Sequence, residues 1–210
     1  MNIKIYRRED TDVTYKQIID LLHSSFQERL AQGLRYSCSF MTEEQYIEKT
    51  KKGIVLVAID EETKKLAGTT TLNLDTVSGV KRGYMEYVAI EDAYKHCGIG
   101  NLLVEEIKKL AVLEKCSYIL SDTSTQAISA VRYHLKNGYK IVGLESFRST
   151  NYWSYVFRMQ MIPSKKWESD VYCKFRYFLS WLFMHITRDI NGNDTTIGKI
   201  HKVIKRKCKN

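Results

Sequence analysis

Apolar residues recur along this chain with two different periods, and the changes between them set out an order of elements. Residues 2–7 alternate apolar and polar, as a half-buried strand does. Thr14 stands three residues before Gln17, the spacing of a capping box, and Ile18, Ile19, Leu22, Phe26 and Leu30 then share one face of a helix that ends near Gly33. A second box, Thr42 with Gln45, opens a shorter helix that stops around Gly53. The unbroken apolar run 54–59 suits a strand covered on both faces. After a polar turn at 60–65 the chain returns as a strand over 66–75, where three consecutive threonines favour extended backbone. A polar, glycine-bearing connection over 76–83 leads to the next strand at 84–90, and these three strands read as an antiparallel meander.

The second half follows the same logic. Leu103, Ile107, Leu110 and Ala111 give residues 101–113 a helical apolar face, and 117–120 reads as a strand followed by a polar turn at 121–125. A further helix carries Ile128, Val131 and Leu135 and stops at Asn137-Gly138. Residues 139–146 and 151–161 alternate as a closing hairpin, and Pro163, the only proline, marks a boundary. The predicted order is β-α-α-β-β-β-α-β-α-β-β, a mixed α/β chain.

The stretch Tyr94-Lys95-His96-Cys97-Gly98-Ile99-Gly100-Asn101 lies between the apolar strand at 85–90 and the helix at 101–113. A helix start leaves backbone N–H groups without intrahelical partners and carries partial positive charge. A loop made pliable by Gly98 and Gly100, with Lys95 as a nearby cation, has the make-up of a phosphate seat. An ordinary strand-to-helix turn accounts for the same residues equally well.

The spacing Lys95-x-x-Gly98-x-Gly100 resembles the acyl-CoA-binding motif of the GCN5-related N-acetyltransferase (GNAT) superfamily, with lysine where arginine or glutamine is usual. Downstream, residues 130–139, Ala-Val-Arg-Tyr-His-Leu-Lys-Asn-Gly-Tyr, resemble that superfamily's helix that ends in an aromatic after glycine. With the strands between, the resemblance covers roughly residues 1–162. It implies a mixed, mostly antiparallel sheet flanked by helices over that span, and leaves outside it residues 163–210, whose own composition reads as a basic, aromatic-rich helical extension. It also implies acetyl-CoA as co-substrate, held by Lys95, His96, Cys97, Gly98, Ile99, Gly100 and Asn101 and by main-chain groups of Val88 and Ile90.

The catalytic roles implied by the resemblance follow from what the chemistry needs. The attacking amine must be neutral, because a protonated amine has no lone pair, and a carboxylate within reach can take its proton. Glu86, four residues before Ile90, is the expected base, and the Val88 N–H the expected oxyanion donor. Counting back four residues from Gly138 to the superfamily's usual tyrosine gives His134, with Tyr133 beside it; either is expected to protonate the departing thiolate. Gln126-Ala127 replaces a frequent asparagine at the start of this helix. Acceptor contacts are expected from Arg29, Arg35, Tyr36 and Ser37 and from Arg148, Asn151 and Tyr152, although solvated surface arginines fit the same pattern. A small-molecule amine is the expected acceptor, and no metal is required. A non-catalytic CoA-binding or partner-recruiting module, or transfer of another acyl group or to a hydroxyl, is the alternative.

Composition narrows the setting. At 44% hydrophobic and 27% charged, the 210 residues are ordinary for a globular chain. The apolar stretch at 1–6 is too short for a secretory signal and no run approaches the ~20 apolar residues of a membrane span, so a cytoplasmic protein is expected. Cys38, Cys97, Cys116, Cys173 and Cys208 are odd in number and lack metal-ligand spacing, which excludes a disulfide framework or zinc site as the organising feature.

The net charge of +9 is concentrated at the C-terminal end, where residues 164–210 hold eleven Lys and Arg against four Asp and Glu. Within that segment, 171–190 includes the run Tyr177-Phe178-Leu179-Ser180-Trp181-Leu182-Phe183-Met184 between Lys174, Arg176 and Arg188. Three readings of this helix stand open: packing on the body or in a homodimer, lying on a membrane surface, or docking a partner protein. Its aromatics nearly surround the helix, which favours burial. Residues 199–210 are basic without base-stacking aromatics, so no specific nucleic-acid binding is expected.

Overall fold

The structure is a computed structural model that describes residues 1–147, 150–188 and 193–199. It divides into two compact units, one of Met1–Ser121 with Met159–Pro163, the other of Asp122–Arg158 with the segment from Ser164.

The first unit begins with β1 (Ile3–Arg7), followed by α1 (Tyr15–Ala31) and α2 (Glu43–Thr50). Both helices start on the predicted capping boxes: Thr14 and Thr42 accept from the amides of Gln17 and Gln45, and each glutamine side chain accepts from its cap's backbone. Strands β2 (Gly53–Asp60), β3 (Lys65–Val77) and β4 (Val80–Ile90) form the meander, with β1 added antiparallel to β2. After β4 comes α3 (Ile99–Leu113), and then β5 (Tyr118–Ser124), which pairs parallel to β4. Ile18, Leu22, Tyr46 and Val57 join α1, α2 and β2 in one apolar cluster, while α3 packs on β3 and β4 through Leu103, Val104 and Ile107. Among the described residues Cys38, Cys97, Cys116 and Cys173 form no disulfide.

The second unit contains α4 (Ile128–Lys136), the antiparallel pair β6 (Lys140–Ser146) and β7 (Trp153–Gln160), a single turn α5 (Lys165–Glu168), and α6 (Asp170–Thr187). The strands form a seven-stranded sheet in the order β1-β2-β3-β4-β5-β7-β6. Here α6 lies along β6. Ser180 Oγ both accepts from the Leu144 amide and donates to the Leu144 carbonyl, each at 2.8 Å. Lys140 Nζ reaches Asp170 Oδ1 at 2.7 Å.

Four sequence expectations change. The connection expected over 76–83 is strand on both sides of a two-residue turn, Ser78-Gly79, whose φ values of 50° and 76° fit a tight hairpin. The polar residues 121–124 continue β5, with Ser121, Thr123 and Ser124 buried. On α4 the expected apolar face does not form, since Ile128 and Leu135 are about half exposed and His134 is the buried residue. On α6 the aromatics are not buried all round: Cys173, Met184 and Thr187 are buried, while Phe175, Phe178, Trp181 and Phe183 are exposed.

Candidate active site

In the first unit the site grows from an irregularity in β4. Thr69 pairs with Ala89 and Thr71 with Glu86, so Tyr87 and Val88 together face the single Thr70. This is a β-bulge, and Tyr87 takes φ 56° to make it. A bulge breaks the ladder locally and leaves a residue's main chain outside it. The ladder to β5 covers Arg82–Tyr84 alone, although Ser121 Oγ donates to the Met85 carbonyl at 3.0 Å. The stretch that holds Glu86 and Val88 therefore lies beyond the β4–β5 pairing. Ile90 pairs with Gly68, and its carbonyl accepts from Ser25 Oγ at 3.2 Å.

Glu86 is half-buried and oriented by a neighbour that sequence reasoning missed. Asn73 Nδ2 donates to Glu86 Oε2 at 2.6 Å from the adjoining strand. Thr71, the register partner of Glu86, shares a hydrogen bond of 2.9 Å with the Tyr46 hydroxyl of α2, and the ring of Tyr87 meets that of Tyr46 edge-on at 5.3 Å. The carboxylate thus stands among polar groups on the α2 side of the sheet, with a wall of tyrosine behind. No local pattern in the sequence ties Asn73 to Glu86, because their pairing depends on the exact position of the Ser78-Gly79 turn, which sets the register of β3 on β4.

Beyond β4 a short turn, Asp92–Tyr94, leads into the glycine loop. The Tyr94 hydroxyl donates to Asp60 Oδ2 at 3.1 Å and shares a bond with Thr63 Oγ1 at 3.1 Å, which ties the loop's first residue to the β2–β3 turn. Burial raises the Asp60 pKa, but the amides of Glu62 and Asn2 and the hydroxyls of Thr63 and Tyr94 outweigh it and hold the carboxyl below its ordinary value. Lys95, His96, Cys97 and Gly98 are all exposed. His96 takes φ 64°, and Gly98 caps α3 at φ 80°. A Cβ built on Gly98 would meet nothing within 4 Å, so the backbone there has open space in front of it. Ile99 is buried and anchors the start of α3, while Gly100 and Asn101 lie in its first turn. Lys95 Nζ pairs with Asp92 at 2.6 Å. An anion arriving at the helix start meets backbone N–H groups and the positive end of the helix dipole, so this loop suits a phosphate group.

Arg29 lies near the end of α1 and Tyr36 follows it, its ring against Phe26 at 4.9 Å. Arg35 extends over the Phe40 ring at 5.3 Å.

The second unit holds the other expected residues. His134 is 5% exposed, stacked on Phe157 at 4.5 Å, with Tyr139 and Tyr133 edge-on to it. Its Nδ1 lies 2.8 Å from the Ala130 carbonyl, which can only accept, so Nδ1 carries the proton and Nε2 is unprotonated. Burial lowers the His134 pKa, with the Ala130 bond opposing it in part, so the ring is neutral near pH 7. Burial also pushes the Tyr133 phenol well above its ordinary value. Tyr152 is buried in the interior of its unit. Arg148 lies outside the described residues.

A sequence model of the acetyltransferase (GNAT) family matches residues 15–139. No curated protein matches the chain. Among solved structures, an acetyltransferase of the GNAT family from Streptococcus pneumoniae superposes with a TM-score of 0.56 at 20% identity, covering 77% of this chain and 100% of its own. An N-acetyltransferase from Staphylococcus aureus Mu50 gives 0.60 at 16% identity, over 78% and 100%. An aminoglycoside 6'-N-acetyltransferase complexed with coenzyme A gives 0.57 at 18% identity, over 78% and 99%. These likenesses show a shared fold.

Proposed function

The chain belongs to the acetyltransferase (GNAT) family, and on that premise we propose that it moves the acetyl group of acetyl-CoA to a primary amine by direct attack in a ternary complex. The observation that carries the proposal is the adjacency along one strand and loop of a carboxylate, a bulged main chain and an open helix start, at Glu86, Val88 and Gly98. In this reading the loop 95–101 holds the pyrophosphate through its amides, with Lys95 exchanging Asp92 for a phosphate oxygen. Val88 and Ile90 offer main-chain groups to the pantetheine arm. Acetyl-CoA supplies a thioester carbonyl as the electrophile.

Glu86, oriented by Asn73, takes the proton of the ammonium so that nitrogen attacks as a neutral amine. The N–C bond forms as the C–S bond breaks, and the Val88 N–H receives the negative charge that builds on the carbonyl oxygen. The thiolate needs a proton. His134 is poorly suited to give it, because its only N–H is committed to Ala130 and burial disfavours the imidazolium. We assign it to Tyr133, whose phenol is protonated at neutral pH and recovers its proton from the nitrogen of the newly formed amide. We assign acceptor contacts to the α2 side of the sheet and to Arg29 and Tyr36, and expect a small-molecule amine.

Calorimetric titration with acetyl-CoA tests the first half: the parent binds, and Gly98→Glu, which repels the pyrophosphate, does not. A panel of amines scored by release of free CoA thiol tests the second, with Glu86→Gln binding acetyl-CoA but turning over slowly. A parent protein that fails to bind acetyl-CoA would overturn the reading.

A further inference from the structure

Helix α6 leaves a stripe of apolar side chains in solvent. Val171, Phe175, Phe178, Leu182 and Ile186 follow the spacing i, i+4, i+7, i+11, i+15 and so line one face. Their exposures run from 40% at Leu182 to 79% at Val171, and Leu179, Trp181 and Phe183, also exposed, widen the patch. The opposite face, with Cys173, Ser180, Met184 and Thr187, is the one turned to the protein, where Ser180 bonds to β6. The helix is fixed on one side, and its exposed side is the apolar one.

Charge selects what covers it. Lys174 and Arg176 are exposed and stand one residue before and one after Phe175, which places a cation on each side of the stripe. Lys165 and Lys166 precede the helix and are exposed, so residues 164–188 carry five cations, Lys165, Lys166, Lys174, Arg176 and Arg188, against two acids, Glu168 and Asp170, of which Asp170 already pairs with Lys140. A second copy of this chain would bring the same excess of cations to one seam, with too few acids to pair them. An anionic lipid surface pairs them and takes the aromatics into its headgroup layer. No helix among the described residues is long and apolar enough to cross a bilayer, so this one lies flat.

We propose that α6 is a membrane-surface helix that seats the protein on anionic lipid through Phe175, Phe178 and Leu182, with Lys174 and Arg176 at the headgroups. The inference stands apart from the acetyl-transfer reading, since its residues belong to α6 and not to β4 or the glycine loop.

The test is sedimentation of the full chain with vesicles of phosphatidylcholine mixed with phosphatidylserine, against phosphatidylcholine alone. Binding to the mixed vesicles only is expected, weakening as salt rises. The double substitution Phe178→Glu with Leu182→Glu, at positions already exposed and therefore harmless to the fold, should lower the partition coefficient at least about tenfold. Unchanged circular dichroism of that variant confirms that it is folded. Equal binding to neutral vesicles, or full binding by the double variant through the basic residues after Lys199, overturns the proposal. So does a dimer seen by light scattering that the double variant dissolves while neither protein sediments with vesicles.

Discussion

Asn73 on β3 donates its side-chain amide to the Glu86 carboxylate of β4 at 2.6 Å, and the register that permits it is set by the two-residue turn Ser78-Gly79, which keeps the strands in step from Val77–Val80 to Thr71–Glu86. The bulge at Tyr87 and Val88 begins just beyond, so the carboxylate, its orienting partner and an unladdered main chain stand side by side. Under the proposed reaction, Glu86→Gln keeps the shape but cannot take a proton. Its kcat should fall by about 10²–10⁴-fold, with acetyl-CoA affinity unchanged by calorimetry. A loss confined to KM would contradict the base role.

Asn73 acts through that carboxylate, so its effect should depend on it. Asn73→Ala should reduce kcat about tenfold while leaving acetyl-CoA affinity intact, and should do little more once Glu86 is already Gln. The kinetic double-mutant cycle measures this coupling. Additive losses would mean that Asn73 serves the fold alone.

Gly98 separates strain from repulsion. At φ 80° an L-residue costs roughly 1–2 kcal/mol, yet a Cβ there meets nothing within 4 Å. Gly98→Ala should therefore lower the melting temperature by about 2–8 °C and leave acetyl-CoA binding measurable. Gly98→Glu should carry a similar thermal penalty and bind none. Equal affinities in the two variants would show that the pyrophosphate does not approach this residue.

The regular parts of this architecture were legible in residue periodicity, because capping boxes, apolar stripes and glycine stops act within a few residues. Thr14, Thr42 and Gly98 each do locally what their spacing implies. Long-range register was not. The polar residues 121–124 read as a turn, yet three are buried in β5, where Ser121 finds the Met85 carbonyl of the neighbouring strand. The anchoring of Tyr94 by Asp60 joins residues 34 apart, and the contact of Asn73 with Glu86 waits on the register set by the Ser78-Gly79 turn, in a stretch whose polar residues read as a longer connection. On α4, counting by motif reached His134, but its burial against Phe157 depends on β7.

His134 makes stability depend on pH. Its folded-state pKa is lowered by burial, so the unfolded chain takes up a proton that the folded protein resists. Its contribution is full above the ordinary histidine value of about 6.5 and declines as pH falls below it. His134→Phe keeps an aromatic ring against Phe157 and removes that proton. Between about pH 8 and pH 5 the parent's urea midpoint should drop further than the variant's. Parallel curves would mean that the ring titrates as freely folded as unfolded.

The edge of β6 offers the sharpest test of how α6 is held. Leu144 is 3% exposed, and its amide and carbonyl both meet Ser180 Oγ at 2.8 Å. β6 is the last strand of the sheet, so these groups have no further strand to pair with, and one hydroxyl satisfies both. Ser180→Ala leaves a buried donor and acceptor unmet, which should cost about 1–3 kcal/mol in chemical denaturation. Ser180→Thr retains the hydroxyl and should cost less than half as much. Because α6 carries the proposed lipid-facing stripe on its other side, Ser180→Ala should also increase protease cleavage within the helix, whereas Phe178→Glu with Leu182→Glu should not. If Ser180→Ala and Ser180→Thr melt together, the hydroxyl is not what fixes the helix to the strand.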